Sequence, residues 1–459
     1  MGGTFTRCHL QVWYDTARET AISRHDWTGR TVPASRVSIG VSLIPRVLRV
    51  ASPGLLMAGM AIGVSHLVQS TRAGAGFGFQ LIGLVIAVNL AKYPFFEYGH
   101  RYAAATGESL LHGYRRLGRG ALLAFFVINI VTSIIGTAAV VFVTAALAQN
   151  LLRFGLNTTE WSALLIAVSF ALLVAGRFKS LDIAVKLMIA VLAVSTVVAF
   201  IAAAWHGPVA PEGFQGPSPW RAVHLGFLIA LMGWMPGIIE VSIFQSLWLV
   251  AGDKASERRT SVAEARLDFN ISYGFTTLLA VVFLALGALV MYGSGEVFAE
   301  SAVGFAANFV TLYASTLGDW IRPLMAVVAL VAMLSTTLTV IDAAPRSMAV
   351  AQQLLQKREG VDYRRLQTVW MVGIGVAALV IISAFRARFT QLIDLATIFS
   401  FLAAPVFAYL NMRVVSSEHV PVDARPGPLI RMMAVFGLLY LAGFGILYLV
   451  VRIVGIGAS

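Results

Sequence analysis

Charged residues are scarce in this sequence. Only 12% of its 459 residues are Asp, Glu, Lys or Arg, whereas 58% are hydrophobic, and the mean hydropathy is +0.81. A soluble domain carries about 25% charged residues, because its surface must be solvated by water. The composition therefore excludes an ordinary soluble protein and indicates one whose solvent is lipid.

Cysteine is nearly absent, and the signatures of familiar enzymes are missing. The single cysteine, Cys8, excludes an intramolecular disulfide. The first residues lack the pattern of a secretory signal peptide, so we expect none. The sequence contains no HExxH motif, nucleophile elbow or phosphate-binding loop. We therefore expect neither an enzyme nor a bound cofactor.

Basic residues outnumber acidic ones and are unevenly placed. A net charge of +12 is compatible with nucleic-acid binding, but most of the 34 Lys and Arg residues fall in the N-terminal tail and in alternate loops between apolar runs. This pattern is typical of cytoplasmic loops. It predicts a multi-pass protein of the bacterial inner membrane with a cytoplasmic N-terminus, an external C-terminus and no nucleic-acid partner.

Eleven apolar runs of membrane-spanning length follow a polar tail. We expect residues 1–50 to form a disordered cytoplasmic tail and residues 51–459 to form a single transmembrane domain. A further short surface helix is expected at 302–317. The predicted spans are 53–76, 79–103, 121–150, 161–176, 180–205, 221–249, 268–293, 321–355, 366–385, 390–412 and 429–451.

The first and sixth spans are interrupted in similar ways. The first is rich in glycine and carries a polar cluster from Ser65 to Arg72, and the sixth contains Gly233, Pro236 and Gly237 followed by Glu240. Proline breaks a helix, and free carbonyl groups at membrane depth occur only in protein or at a cavity. The pairing predicts a substrate site between the two breaks. The alternative is two ordinary kinked helices packed through small residues.

Four segments carry a resemblance to a known family. They are "PGLLMAG" with a later "FGF" in the first span, "MGWMPG" in the sixth, "EARLDFNISYGF" in the seventh and "MLSTTLTVIDAAPR" in the eighth. Together they resemble the Nramp family of proton-coupled divalent-metal transporters, from about Ser52 to Arg452. The resemblance implies an all-α polytopic protein with the LeuT-like fold and about 11 transmembrane helices. Its 5+5 inverted repeats would cover about 52–205 and 220–412, with an extra helix at 429–451.

The chain departs from the family in the first span. The family signature there is Asp-Pro-Gly-Asn, whereas this chain has Gly63, Val64, Ser65 and His66. The resemblance thus implies that Gly63 replaces the metal-binding aspartate and that His66 replaces the asparagine ligand.

The sixth span keeps more of the family pattern. The resemblance implies that Met235 is the retained methionine ligand and that Met232 lies where a small residue gives a backbone carbonyl. The histidine that follows Met-Pro in the family is replaced by Gly237. The third-span acidic pair is also missing, with only Thr132 and Ser133 in its place.

The candidate substrate-binding residues cluster at the two breaks. His66 and Met235 together could form a soft, uncharged metal site, since imidazole and thioether ligands suit softer ions. A packing histidine bonded to a carbonyl is the equal alternative. Glu240 could join the site or pair with Arg72. The full candidate set is Gly63, Ser65, His66, Gln69, Met232, Met235 and Glu240.

Other polar residues of the spans have expected structural roles. His66, Gln69 and Ser70 would share one face of a regular helix. Asp342 and Arg346 are four residues apart and should form an ion pair, and the threonines near them should mostly bond their own helix backbone. Ion pairs at the cytoplasmic ends of spans are expected from Glu97, Arg101, Glu108 and Asp268.

These features favour a secondary transporter of a metal cation that works by alternating access. The alternatives are transport of a small organic or anionic solute, and a non-transporting membrane protein on the same fold. With the family's proton relay missing, transport should be either passive or coupled through His66 and Glu240.

Overall fold

A computed structural model describes residues 53–175, 178–296, 298–356 and 362–454. The predicted tail over residues 1–50 lies outside the described residues. The described part is helical, with the helices joined by turns and short loops.

The first half of the chain opens with an interrupted span. Two short helices, α1 and α2, are separated by a turn and a π-helical segment, Ser65–Ser70. The helices of this half are α1 Pro53–Ala61, α2 Thr71–Phe77, α3 Ile82–Thr106, α4 Leu110–Leu117, α5 Arg119–Leu152, α6 Thr158–Val174 and α7 Phe178–His206.

The second half repeats this order and also opens with an interrupted span. Its first span consists of α8 and α9, which are separated by residues 234–240. The helices of this half are α8 Leu225–Gly233, α9 Val241–Ser256, α10 Val262–Val290, α11 Ala302–Leu317, α12 Arg322–Gln356, α13 Tyr363–Ala384 and α14 Phe389–Val415, and α15 Pro428–Val454 follows.

The predicted spans correspond closely to these helices. Seven helical stretches of the described chain are long and apolar enough to cross a membrane. Along α13, Val369, Val372, Val376 and Val380 are exposed at helical spacing on one face. An apolar face turned outward fits contact with lipid acyl chains. The protein is therefore a multi-pass integral membrane protein.

Local sequence signals explain where several helices begin and end. The Asn157 side chain accepts hydrogen bonds from the first backbone N–H groups of α6, and Ser261 does the same for α10; each forms a capping box with a glutamate three residues later. Gly107 ends α3 with a φ of 74°, a backbone conformation that glycine adopts without strain. These caps fix the loops beside the spans.

The helices pack in two groups around the interrupted spans. Helices α5, α6, α12 and α13 pack against one another, and α3, α9 and α10 pack together beside α1. The π-helical segment contacts both α8 and α10, so the two interruptions face each other at the centre of the bundle.

Glycine allows the closest approach between two of these helices. A Cβ atom added at Gly74 of α2 would lie 1.9 Å from the carbonyl oxygen of Leu284 in α10. A Cβ atom at Gly287 would lie 2.4 Å from the carbonyl oxygen of Thr71. Small residues let membrane helices pack backbone to backbone, and here they fix the second part of the first span against α10.

Two short helices, α4 and α11, differ from what the sequence predicted. Helix α4, Leu110–Leu117, was not predicted; it is amphipathic and only eight residues long, too short for a membrane-span signal. Helix α11 lies where a surface helix was predicted, but Phe305, Phe309 and Tyr313 are buried. It therefore packs into the bundle along one face.

Candidate functional site

The sixth span is broken completely at membrane depth. Helix α8 ends at Gly233 and α9 begins at Val241, and the Met235–Pro236 peptide bond between them is cis. The Trp234 indole N–H donates to the Ser400 hydroxyl at 2.8 Å, which holds the start of the break against α14. Carbonyl groups at the end of α8 lack their helical partners, so they need others.

Lys92 of α3 supplies those partners. Its Nζ donates to the carbonyl oxygens of Met232 at 2.7 Å, Gly233 at 2.7 Å and Gly237 at 3.1 Å. The side chain is fully buried. An ammonium group has three N–H donors, and each of them here has an acceptor. We call these three carbonyl groups the carbonyl cage.

Sequence reasoning missed Lys92. It is a lone lysine in the apolar run "IGLVIAVNLAKYPFF" of the second span. An ionisable residue inside a membrane span is costly and therefore points to function. That signal was present, but the sequence alone did not show that the lysine reaches the break in the sixth span.

Glu240 lies at the other end of the break and is also fully buried. No hydrogen bond of normal geometry reaches its two carboxylate oxygens among the described residues, and the Thr132 side chain of α5 lies beside them. The Lys92 ammonium is close enough to attract it electrostatically. The proposed pairing of Glu240 with Arg72 is wrong, because Arg72 binds Asp394 instead.

The first span is distorted rather than opened. After α1 the backbone turns at residues 62–63, but Ile62 N still donates to Ala58 O at 2.8 Å and Leu67 N to Gly63 O at 3.0 Å. The π-helical segment follows directly. Single π-turns recur at functional sites. The first break is therefore narrower than the sequence predicted.

His66 uses both ring nitrogens within the protein. Its Nε2 lies 2.9 Å from the Thr276 carbonyl oxygen of α10, and its Nδ1 lies 2.7 Å from the Ser65 hydroxyl. Since a carbonyl only accepts, Nε2 donates to Thr276, while the Ser65 hydroxyl lies between Nδ1 and the Ala61 carbonyl oxygen, which is 2.6 Å away. The Ser65 hydroxyl also lies 3.4 Å from the Pro236 carbonyl oxygen, which links the two breaks.

The π-helical backbone separates residues that were predicted to share a face. His66 points to α10, whereas the Gln69 amide donates to Asp394 of α14 at 3.1 Å and lies 3.4 Å from the Thr397 hydroxyl. The one-face prediction assumed a regular α-helix and is wrong for that reason. Ser70, also buried, has no hydrogen-bond partner for its hydroxyl within the described chain.

A charged cluster closes one end of the site. Arg72 donates to the Asp394 carboxylate at 2.7 Å and to the side-chain amide oxygen Oε1 of Gln69 at 3.1 Å. We call Gln69, Arg72 and Asp394 the outer cluster, since the loop charges predict this end to face outward. It joins the first span to α14 directly above the breaks.

Gly63 leaves no room for a larger side chain. A Cβ atom built there would lie 2.8 Å from the Thr336 hydroxyl oxygen of α12. Thr336 donates to the Gly59 carbonyl oxygen at 3.0 Å, which holds it in that place. The position where the resemblance implied a lost aspartate is therefore filled by α12.

The methionines of the sixth span are both buried. The Met232 sulfur accepts a hydrogen bond from the Tyr440 hydroxyl at 3.1 Å, so its side chain points to α15 while its carbonyl faces Lys92. Across the described residues, no group of three His, Cys, Asp or Glu side chains could hold a metal ion. A cation at the breaks would depend on carbonyl groups and Glu240.

Ion pairs close the opposite end of the bundle. Glu97 receives hydrogen bonds from Arg101 at 2.7 Å and forms an ion pair with Arg266 at 3.2 Å. Asp268 accepts the Gly54 backbone N–H at 2.9 Å. Glu108 pairs with Arg116 at the end of α4. The expected ion pairs are thus present at Glu97 and Glu108, whereas Asp268 binds a backbone N–H group, and these contacts tie α1, α3 and α10 together.

The predicted structural roles in the eighth span are also observed. Arg346 binds Asp342 at 2.7 Å, as expected from their spacing. Thr339 donates to the Ser335 carbonyl oxygen of its own helix. Thr337 instead lies 2.7 Å from the Thr144 hydroxyl of α5. These side chains serve helix packing in this conformation.

Weakening the outer cluster should expose the residues beneath it. In a Cys8→Ser background, Ser70→Cys places a thiol at a buried position. Adding Asp394→Asn removes the charge that holds Arg72. We expect labelling of the Ser70→Cys thiol by a membrane-impermeant maleimide to rise about fivefold, because a partly exposed pair contributes about 1 kcal/mol.

Asp319→Asn is the matched control for that experiment. It removes an exposed ion pair with Arg322 at 2.8 Å, in the connection between α11 and α12. Labelling should not change in this variant. Equal labelling with and without Asp394→Asn would show that the outer cluster does not restrict access to the first break.

Comparison with known proteins agrees with this arrangement. Residues 54–451 match the family model described as natural resistance-associated macrophage protein-like, or Nramp. An uncharacterized protein of Pasteurella multocida (strain Pm70) is 38% identical over 402 residues, which are 86% of this chain and 91% of that protein.

Solved transporters share the fold at low sequence identity. A manganese transporter of Eremococcus coleocola superposes with a TM-score of 0.66 at 14% identity, over 90% of this chain and 88% of that one. MhsT, in complex with L-phenylalanine, superposes with a TM-score of 0.57 at 13% identity, over 88% and 98% of the two chains. The predicted LeuT-like fold is confirmed. Because the family model covers most of its length, the chain belongs to the Nramp family.

Proposed function

We propose that this protein is a secondary transporter that moves a metal cation across the membrane by alternating access around the two breaks. The observation that carries the proposal is that the sixth-span break already binds a cation. Three main-chain carbonyl groups hold the buried Lys92 ammonium there. A break with this chemistry is suited to a positively charged substrate.

The charges around the breaks support a cationic substrate. The Glu240 carboxylate is buried at the end of the same break as the carbonyl cage. Among the described residues, no hydrogen bond of normal geometry reaches its oxygens. Attraction between charges is strong in a medium of low dielectric constant, so such a carboxylate favours a nearby cation. Metal ions that prefer oxygen ligands are bound by carbonyl and carboxylate groups.

The same charges speak against an anionic solute. Each of the three N–H donors of Lys92 already has a carbonyl acceptor. The Arg72 guanidinium is held by Asp394 and Gln69. An anion would have to displace one of these partners before either basic group could bind it. For this reason we rank transport of a small organic or anionic solute second, after transport of a metal cation.

Family membership supports a metal ion as the substrate. The solved relative from Eremococcus coleocola is a manganese transporter. This chain lacks room for an aspartate at Gly63, because Thr336 fills that space. We therefore propose a different set of ligands, the carbonyl groups of the cage, with the Glu240 carboxylate as a compensating negative charge at the other end of the break. His66 could join only after its bond to the Thr276 carbonyl breaks.

Closure at both ends supports alternating access. The outer cluster ties the first span to α14, and the Glu97 ion pairs tie α3 to α10 at the other end. A substrate can reach the breaks from one side only when one of these contacts opens. We propose that the two contacts open in turn, so that the site faces one side of the membrane at a time.

Uptake by the purified protein in lipid vesicles tests the proposed function. We expect the wild type to accumulate Mn²⁺ or Mg²⁺ above protein-free vesicles. Glu240→Gln should lower the uptake rate at least about tenfold, since neutralising the carboxylate removes about 1.4 kcal/mol or more of attraction for the cation. The rate would be followed with a metal-sensitive dye inside the vesicles.

Glu257→Gln is the matched control, because Glu257 is an exposed residue just beyond α9. Its uptake should equal that of the wild type. Absence of uptake of any metal ion by the wild type, together with uptake of an organic or anionic solute, would contradict the proposal.

Coupling to protons stays a prediction centred on His66 and Glu240. If metal uptake drives proton movement, Glu240→Gln or His66→Ala should reduce the proton flux measured with a pH-sensitive dye. If substrate-driven proton flux persists undiminished in both variants, the coupling group lies elsewhere. If the wild type shows metal uptake without proton flux, transport is not coupled to protons.

A further inference from the structure

Lys92 is a buried cation in the place where a transported cation would bind. We propose that Lys92 acts as a tethered counter-cation that exchanges with the substrate at the carbonyl cage. This inference rests on the proposed function and names the residue that regulates the same site. When the cage holds the substrate, the Lys92 ammonium moves to Glu240; when the substrate leaves, Lys92 returns.

The geometry of the cage makes the two states mutually exclusive. The Lys92 nitrogen lies within 2.7 to 3.1 Å of all three carbonyl oxygens, so it fills the space that they enclose. A second cation bound to the same oxygens would lie within a few ångströms of the ammonium. Repulsion at such a distance is large in a medium of low dielectric constant. Substrate binding therefore requires the ammonium to leave.

Glu240 provides the second position for the ammonium. It is buried and lies three residues beyond Gly237, whose carbonyl oxygen Lys92 binds at 3.1 Å, and no hydrogen bond of normal geometry reaches its carboxylate oxygens within the described chain. A buried lysine that left the carbonyl groups without finding another partner would carry a prohibitive cost. The free carboxylate removes that cost, because it accepts the ammonium in the state that holds the substrate.

Helix α3 can make this exchange without moving as a whole. Lys92 reaches the cage through a flexible chain of four methylene groups. Four residues further along, the Phe96 ring lies 3.6 Å from a Cβ atom built at Gly237, so α3 is packed against the break itself. The proposed exchange is therefore a change of the Lys92 side-chain rotamer, with α3 kept in place by its packing against the break.

The donor set also narrows the class of substrate. Carbonyl oxygens are ligands that suit Mg²⁺, Ca²⁺ and Mn²⁺ better than they suit softer ions. The histidine that would favour Zn²⁺ or Cu²⁺ has both of its nitrogens bonded. The cage freed by Lys92 should thus take a divalent cation that prefers oxygen ligands.

Equilibrium binding to the purified protein tests the exchange. Mn²⁺ and Mg²⁺ would be titrated into the wild type and into Lys92→Met, which keeps a long, unbranched side chain but removes its charge. We expect Lys92→Met to bind at least one of the two ions tenfold or more tightly than the wild type. Lys254→Met, a change at an exposed lysine near the end of α9, should bind as the wild type does.

The Glu240→Gln change, made alone and in the Lys92→Met background, tests whether Glu240 receives the ammonium. Glu240→Gln alone should weaken binding, because the ammonium then has no second position and the cation loses an attractive charge. In the Lys92→Met background the same change should cost less, since no ammonium has to be accommodated. Equal losses in both backgrounds would overturn the role given to Glu240.

A second measurement uses the unaltered side chain, so it does not depend on the variant folding. Acetylation of Lys92 by a membrane-permeant reagent, followed by mass spectrometry, should be slow without metal and severalfold faster with saturating Mn²⁺. Lys254 serves as the internal control, and its acetylation rate should be the same with and without metal. A Lys92 rate that does not respond to Mn²⁺ or Mg²⁺, with equal binding by Lys92→Met and the wild type, would overturn the exchange.

The outcomes separate this inference from the proposed function. If the wild type transports a metal ion, but Lys92→Met binds it no more tightly and the Lys92 acetylation rate does not respond to it, only the exchange is wrong. If the wild type neither binds nor transports a metal ion but Lys92→Met binds one, Lys92 occupies a cation site and the proposed transport is wrong. If neither protein binds an ion, both proposals are wrong.

Discussion

A backbone that leaves its helix inside a membrane must find partners for its carbonyl groups. In this protein the partner is the Lys92 ammonium, which binds the carbonyl groups of Met232, Gly233 and Gly237. The rest of the site follows from that contact. The break can exist at membrane depth because a buried cation satisfies it, and the buried cation is tolerated because carbonyl groups and a nearby carboxylate surround it.

Much of the fold could be predicted from the sequence, because long apolar runs identify membrane-spanning helices. The interruption of the sixth span was evident from Gly233, Pro236 and Gly237. The first span was harder to predict, since the choice between an open break and a π-helical distortion at Ser65–Ser70 depends on packing against α8 and α10. A pattern of glycine and polar residues does not contain that information.

The site was predicted less completely than the fold, for reasons that lie in tertiary contacts. Glu240 was identified because it directly follows the proline break. Lys92 and Asp394 were missed because each reaches its partners from a distant span, one at the carbonyl cage and the other at Arg72. The space at Gly63 could not be judged from sequence either, because it is Thr336 of α12 that fills it.

The central claim is that the carbonyl cage is a cation site shared by Lys92 and the substrate. Electron cryo-microscopy of the protein in lipid nanodiscs, without metal and with saturating Mn²⁺, tests it most directly. The account predicts Lys92 density on the three carbonyl groups without metal, and with Mn²⁺ an ion in their place with Lys92 turned toward Glu240. An ion bound elsewhere in the bundle, with Lys92 still on the carbonyl groups, would contradict it.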